Sequence, residues 1–341
     1  MTQSSPLVTV CVPSFNYAEF LRPCLESVLS QSFRDFELLV VDDASTDDSA
    51  RVAESYNDPH VRVVRHARNA GAVQTWNHGL TLARGEYIGF LCADDGFRPD
   101  KLQHQVAALQ SHPEVALVHA DGEWMNERGE REEGQASSAA FRSVFPPEVR
   151  AHLASDHVVR PPLELPRLAA GYNYIHLSSA LFRRRAAAHV GGFDPTFPYA
   201  ADWDLWLRLA THHGVAYLAR PLTAIRLHSR NLTLKLQASG QAFRDWYGVV
   251  NRTLRDWPAD AGPSASIREE ALRVIREHLL AQVHAEYARG RTSAVRRDLR
   301  LAWRHDPWVR RDVLALATYA KAWLDVPGFK RWLTPGPKRD D

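Results

Sequence analysis

Apolar runs of strand length punctuate the first 120 residues, with amphipathic stretches between them. Leu7–Val12 is the first run, closed by Pro13; Phe36–Val41, Val61–Val64, Glu86–Leu91 and Val115–His119 follow. Short continuous runs of this kind read as strands buried on both faces. Between them the period changes to that of a helix. Phe20, Leu21, Leu25, Val28 and Leu29 follow Asn16, and Glu19 stands where a capping box needs it. Thr46 or Asp47 is placed to open a second helix. Ala72–Ala83 predicts a third, weakened by Asn77-His78-Gly79, and Pro99 starts a fourth that runs to about Gln110. Strand and helix alternating at least four times predict a mostly parallel, Rossmann-like α/β sheet flanked by helices on both faces.

The second half is less regular. Gly129–Ala140 is small and polar, and Pro146-Pro147 and Pro161-Pro162 bracket more irregular chain, a pattern typical of a lid or binding loop. Asn173–Phe182 is partly strand-like, and Gly191-Gly192-Phe193-Asp194 is a turn. Ala201–Ala210 predicts a helix with Trp203, Trp206 and Leu207 on one face. Ile225–Asn231 alternates like a strand before a polar turn. From Gln241 the chain reads as helical, with Ser266 and Glu269 forming a capping box and Val313–Leu324 adding a further apolar face. These shifts divide the chain into a domain over 1–235, with halves 1–121 and 122–235, and a helical C-terminal extension over 236–341.

Chemistry gathers where the strands end. The run Glu86–Leu91 stops at Cys92-Ala93-Asp94-Asp95-Gly96, and Phe36–Val41 stops at Asp42-Asp43. Acids do not belong inside a buried strand but fit its carboxyl end, where open α/β sheets place ligands. Two carboxylates beside a glycine turn suit a hard divalent cation whose remaining ligands come from phosphate; an acidic turn with no ligand would have the same three letters. Asp42 or Asp43 can accept from a ribose hydroxyl or a base N–H, or can merely cap a turn. The first strand lacks a Gly-x-Gly-x-x-Gly sequel, so a dinucleotide fingerprint is absent. Asp202, at a helix start, is either a cap or a general base, and Asp204 is the second choice. His228 offers a nitrogen ligand, and Arg226 or Arg230 can meet phosphate oxygens.

Composition narrows the classes. The 341 residues carry a net charge of +2, with 45% hydrophobic and 24% charged positions. Nothing global demands nucleic acid. Cys11, Cys24 and Cys92 have neither zinc-like spacing nor an even count, which points to a reducing, cytoplasmic setting. No signal peptide and no membrane-length apolar run is expected. Arg289–Arg311 holds eight arginines against two aspartates, with Trp303 and Trp308 among them. Such a helix either lies on the anionic inner face of a membrane, as a peripheral contact, or packs on its own domain or on a second copy in a homo-oligomer.

Several ordered motifs resemble those of the inverting nucleotide-sugar glycosyltransferases of family 2, which have the GT-A fold. They are Val12-Pro13-Ser14-Phe15-Asn16, Phe36–Asp47, Arg68-Asn69-Ala70-Gly71, Ala83–Ile88, Phe90–Asp95, Gly191–Asp194 and Asp202–Trp206. The resemblance spans about Leu7 to Asn231. It implies that Asp42 and Asp43 meet the nucleoside with Pro13, Ser14, Asn16 and Arg68 nearby, and that Asp94 and Asp95 hold Mn²⁺ or Mg²⁺, Asp95 most directly, with Asp94 also beside the nucleotide. It implies that Asp202 is the catalytic base, that His228 contacts metal or diphosphate, and that Trp203, Asp204 and Arg226 support the acceptor side. The donor would be a UDP or dTDP sugar; the acceptor would be a glycan, a lipid-linked glycan or a small molecule, met by a loop region from about Gly122 to Pro166. The chain departs from the family at Cys92 and Ala201, where acids are frequent. A sugar nucleotidyltransferase would want a glycine-rich basic loop after the first strand, and Pro13-Ser14-Phe15-Asn16 is not one; a non-catalytic carbohydrate-binding protein of the same fold finds its best support in Cys92 and Ala201.

Overall fold

The computed structural model describes residues 5–130, 142, 145, 147–160, 165–170, 173–261, 264–306 and 308–309. The strands are β1 (Val8–Ser14), β2 (Phe36–Asp42), β3 (Val61–Arg65), β4 (Tyr87–Phe90), β5 (Gly96–Phe97), β6 (Val115–Met125), β7 (His157–Val159), β8 (Leu181–Arg183) and β9 (Gly214–Arg226). They form one sheet in the order β3-β2-β1-β4-β8-β6-β9-β5, with β7 paired to β9. The first four strands are mutually parallel. The parallel expectation stops there: β8 runs antiparallel to both β4 and β6, and β5 and β7 run antiparallel to β9, while β6 and β9 are parallel. The sheet is therefore mixed. The short strands that make it so are two or three residues long, below the length at which periodicity is legible.

The helices are α1 (Ala18–Leu29), α2 (Ser49–Glu54), α3 (Ala72–Leu82), α4 (Lys101–Ser111), α5 (Pro147–His152), α6 (Leu165–Ala169), α7 (Arg184–His189), α8 (Ala201–His212), α9 (Leu232–Ala238), α10 (Gln241–Arg255), α11 (Ser264–Ala288) and α12 (Thr292–His305). Alternate residues of the parallel strands feed two cores. Val10, Val12, Leu38 and Val40 meet Leu21, Leu25 and Val28 of α1 and Leu102, Val106 and Leu109 of α4. Cys11, Leu39, Val41 and Phe90 point the other way, into a core shared with Trp203, Leu205 and Trp206 of α8. Gly79, read as a weakness in α3, has a packing reason: a Cβ there would lie 2.4 Å from Cys11 Sγ, so the missing side chain lets α3 sit close against β1.

Helices α10, α11 and α12 belong to the same core as α8, through Phe243, Tyr247, Ile275, Leu279, Val295 and Leu299 among others. The apolar face of the arginine-rich α12 points inward, burying Val295, Leu299 and Ala302, while Trp303 and Trp308 remain exposed. Among the described residues no helix is long and apolar enough to cross a membrane. The apolar face expected over Val313–Leu324 lies outside the described residues, as does most of the loop Gly129–Ala140. Two expected caps differ. Helix α1 starts after Tyr17, with Asn16 in the left-handed region (φ 59°) rather than at a capping box. Helix α11 starts at Ser264, which puts Ser266 inside it.

Candidate active site

The carboxyl ends of β1, β2 and β4 open into a cavity of about 410 Å³. Pro13, Ser14, Asp43, Cys92, Asp94, Asp95, His176, Arg226, Arg230 and Lys235 are among its lining residues. Sheet register explains the meeting. Ser14 lies opposite Asp42 in the parallel β1–β2 ladder, and Cys11 opposite Phe90 in β1–β4, so the acids that follow each strand reach the same edge.

The nucleoside side holds two unlike aspartates. Asp42 Oδ2 accepts the Ser45 N–H at 3.0 Å and faces Arg65 at 3.4 Å. Its Oδ1 and the neighbouring Ser14 Oγ are buried without a partner. Asp43 is fully engaged: it accepts from Ala70 N at 2.7 Å, Gly71 N at 2.9 Å and His66 Nδ1 at 2.7 Å. Burial alone would raise its pKa, but these donors outweigh burial and hold the carboxyl below the ordinary range. Asp43 thus shapes the turn at 66–71. Asn16 does similar work without lining the cavity, its Oδ1 accepting from Thr46 N at 2.8 Å. Arg68 is exposed and does not line the cavity.

Asp94, Asp95 and Cys92 present ligand atoms within 4.8 Å of one another. Asp95 accepts from Arg226 N at 3.0 Å and Ser178 Oγ at 2.7 Å. Burial, with the Asp94 charge adding to it, pushes its pKa well above the carboxylate range. Asp94 Oδ2 accepts from His228 Nε2 at 2.8 Å and Asn231 Nδ2 at 3.0 Å. His228 is therefore turned onto Asp94 and does not line the cavity. The Arg226 guanidinium is spent on backbone oxygens, those of Asp94 at 2.8 Å and Glu127 at 2.8 Å, rather than on either carboxylate. Arg226 consequently braces the acidic turn, and Arg230 and Lys235 are the cavity's outward cations. Two buried carboxylates short of positive charge fit a divalent cation, and oxygen donors suit a hard one. Burial pushes the Cys92 thiol far up, so it stays an S–H and a poor ligand.

Asp202 stands outside the cavity lining, in the first turn of α8. Its Oδ1 accepts from Trp203 N at 2.7 Å and from Asn173 Nδ2 at 3.4 Å. Burial raises its pKa to about 6 against those two donors. The same segment that begins at Asn173 continues to the metal-side acids. His176 lines the cavity with Nδ1 4.0 Å from Asp95 Oδ2, and Ser178 donates to Asp95. Five peptide units separate Asn173 from Ser178, at most ~17 Å of chain. His176 and Ser178 escaped the sequence reading, because only the antiparallel insertion of β8 between β4 and β6 brings this segment over the acids.

Two expected acceptor-side residues face inward instead. Trp203 is buried and donates its indole N–H to Leu168 O at 3.0 Å. Asp204 is buried and pairs with Arg208 at 2.6 Å and with Arg252. Neither is open to an acceptor.

The sequence profile of Glycosyl transferase family 2 matches residues 9–189, more than half of the chain. The chain belongs to glycosyltransferase family 2. It is an enzyme of sugar transfer, of the class that draws on nucleoside-diphosphate sugars, with the α/β fold of that class and a helical C-terminal extension. The match ends before Asp202. Among curated proteins, an uncharacterised Mycobacterium tuberculosis protein is 27% identical over 74% of this chain and 77% of its own length. The O-antigen biosynthesis protein RfbC of Myxococcus xanthus is 29% identical over 78% of this chain, which spans 19% of that longer protein. Among solved structures, residues 1–349 of S. aureus TarS in complex with UDP-GlcNAc superpose with a TM-score of 0.65 at 16% identity, covering 95% of this chain and 91% of that one. The mannosyltransferase PcManGT from Pyrobaculum calidifontis, in complex with GDP-Man and Mn²⁺, gives a TM-score of 0.55 at 19% identity over 95% and 88%. Both structures share the fold.

Proposed function

We propose that this glycosyltransferase carries out divalent-metal-dependent, inverting transfer of a sugar from a nucleoside-diphosphate donor, UDP- or dTDP-linked, to an acceptor hydroxyl on a glycan, a lipid-linked glycan or a small molecule. The observation that carries the reading is the segment from Asn173 to Ser178, which touches Asp202 at one end and Asp95 at the other. The neighbours in fold that hold UDP-GlcNAc, or GDP-Man with Mn²⁺, support the donor class.

Ser14 Oγ, buried and unpartnered in the cavity lining, would meet a donor of the base or ribose, with the equally unpartnered Asp42 Oδ1 beside it but outside the lining. Arg230, which also pairs with Glu19, and Lys235 line the cavity and would meet the diphosphate. Asp94 and Asp95 would hold the ion, Mn²⁺ or Mg²⁺, and it would supply positive charge to the departing diphosphate. Asp202 takes the proton of the acceptor hydroxyl as that oxygen bonds to C1 of the sugar. The bond from C1 to the phosphate oxygen breaks with its electron pair leaving on the diphosphate, and attack from the opposite face inverts the anomeric centre. A carboxyl near 6 is ionised at neutral pH yet more basic than an ordinary one, which suits a general base.

On this reading residues 1–121 bind the donor together with His176, Arg230 and Lys235 from 122–235, the rest of 122–235 completes the acceptor side, and the chain beyond 235 is a helical extension. The setting is cytoplasmic. Contact with an anionic membrane through the exposed side of α12 would appear as co-sedimentation with liposomes, lost on truncation at Arg289. The reading as a whole is tested by a thermal-shift screen of UDP, dTDP and GDP and their sugars, with and without Mn²⁺ or Mg²⁺. A metal-dependent rise with one nucleotide is the expected result; no rise with any of them would sink the proposal.

A further inference from the structure

The first turn of α8 is poorly secured by its own sequence. Ala200 precedes the helix and Ala201 begins it, so neither offers a side-chain oxygen to the free N–H groups, and within the turn Asp202 accepts from Trp203 N. The anchors come instead from α10, forty residues further along the chain. Asp245, buried, accepts the N–H of Tyr199 at 2.6 Å and of Ala200 at 3.2 Å. Gln241 holds Asp245 from one turn earlier, its Nε2 donating to Oδ1 at 2.6 Å. About two turns further along α10, on the same face, Arg252 pairs with Asp194, in the turn that leads to α8, and with Asp204, two residues past Asp202. Tyr199, the residue whose N–H Asp245 takes, is itself fixed at its hydroxyl by Gln237 Nε2 at 2.9 Å.

We propose that α10 is a positioning element for the catalytic base, with Asp245 and Arg252 clamping the turn that carries Asp202 from its backbone side and its side-chain side. The proposal rests on the reading of Asp202 as the base. It gives part of the C-terminal extension a role in the reaction, although no residue of α10 lines the donor cavity. The physical reason is leverage. A helix start that is free to shift moves its first-turn carboxylate with it, and a displacement of about 1 Å at a reacting group can cost ~100-fold in rate.

The test reads the carboxyl of Asp202 directly, by carboxyl-carbon NMR titration of the full chain, with the signal assigned by its loss in Asp202→Asn. Removing the clamp with Asp245→Ala should loosen and hydrate the turn, so the Asp202 pKa falls from about 6 by about one unit or more. Asp245→Asn removes the charge but keeps an acceptor oxygen in place, and should move it by less than half as much. An unmoved value in Asp245→Ala overturns the proposal. So does an equal fall in both variants, which would mean that only charge acts between the two acids. If Asp245→Ala does not fold, Arg252→Met decides. Loss of a cation acting through charge alone would raise the Asp202 pKa, whereas a loosened turn lowers it, and a rise or no change refutes the clamp. Release of UDP from UDP-N-acetylglucosamine, or of GDP from GDP-mannose, by Asp202→Asn is measured alongside. Turnover at the parent rate there would discard the base itself, while an inert Asp202→Asn with an unmoved Asp245→Ala titration would discard the clamp and leave the base standing.

Discussion

The two acidic centres of this enzyme carry the same perturbation with opposite remedies. Asp95 and Asp202 both have raised pKa values, and burial is the largest cause in each. Around Asp95 a second carboxylate, Asp94, adds to the cost, and the nearest guanidinium is engaged with backbone oxygens. Around Asp202 the donors among the described residues are neutral, Trp203 N and Asn173 Nδ2. A doubly charged buried pair is relieved by a cation, whereas a single half-buried carboxylate is relieved by a proton. On the proposed reading the fold builds a cation seat and a proton acceptor from the same residue type, by varying the number of acids and the donors beside them.

The sharpest way to break this contrast is Asp202→Asn. Turnover should fall by about 10²–10⁴, the usual worth of a positioned base, while the nucleotide-induced thermal shift survives. The same change should stabilise the protein at neutral pH by ~1–2 kcal/mol, discounted for partial exposure. The sign follows from linkage. A carboxyl whose folded pKa is raised to about 6 contributes fully below its unfolded value and loses that contribution as the pH rises through 6. Melting temperatures of parent and variant should therefore converge toward acid. Next in size is Asp95→Asn, which should abolish the Mn²⁺-dependent part of nucleotide binding yet raise the metal-free melting temperature by ~2–4 °C, since one of two like charges is gone. A lower metal-free melting temperature would mean that the pair is not strained. The rate of the parent enzyme should climb with pH and reach half its plateau near 6, the value at Asp202; a plateau unbroken down to pH ~4 would detach the base from that carboxyl. The smallest effect belongs to Cys92→Ser. If the thiol stays protonated and off the ion, Mn²⁺ affinity measured by calorimetry should change less than about threefold, and a larger loss would make sulfur a ligand.

Much of this was legible before any coordinates. Acids placed just after apolar runs pointed to Asp42, Asp43, Asp94 and Asp95, of which the last three line the cavity, because strand ends in open α/β sheets are where polar groups escape burial. What could not be read were contacts made by short or distant segments. Ser178 and His176 reach Asp95 from a three-residue 3₁₀ turn beside a three-residue strand. Asp43 and Asn16 are both held by loop N–H groups, contacts a sequence does not announce, and of the adjacent pair Asp42 and Asp43 it is Asp43 that lines the cavity. Asp204 and Asp202 differ by two positions on one helix, and that rotation sends one into an ion pair with Arg208 and Arg252 and leaves the other near Asn173. Arg226 looked like an outward phosphate contact. Its side chain is instead claimed by backbone oxygens of two loops, a demand that no local pattern announces.

The long pairing of β6 with β9 has a consequence for how this catalyst can be inherited or redesigned. Its register slips near Ala120 and Asp121, where Pro221 has no N–H to give, and then runs true to Met125 opposite Arg226. Side chains alternate sides at every step of a strand, so a slip of one more position would turn Arg226 away from the acids and leave an unaltered roster of amino acids around a disarmed pocket. Insertions in the surface connections should be tolerated far more readily than a single residue added or removed between Gly122 and Arg226 on these two strands.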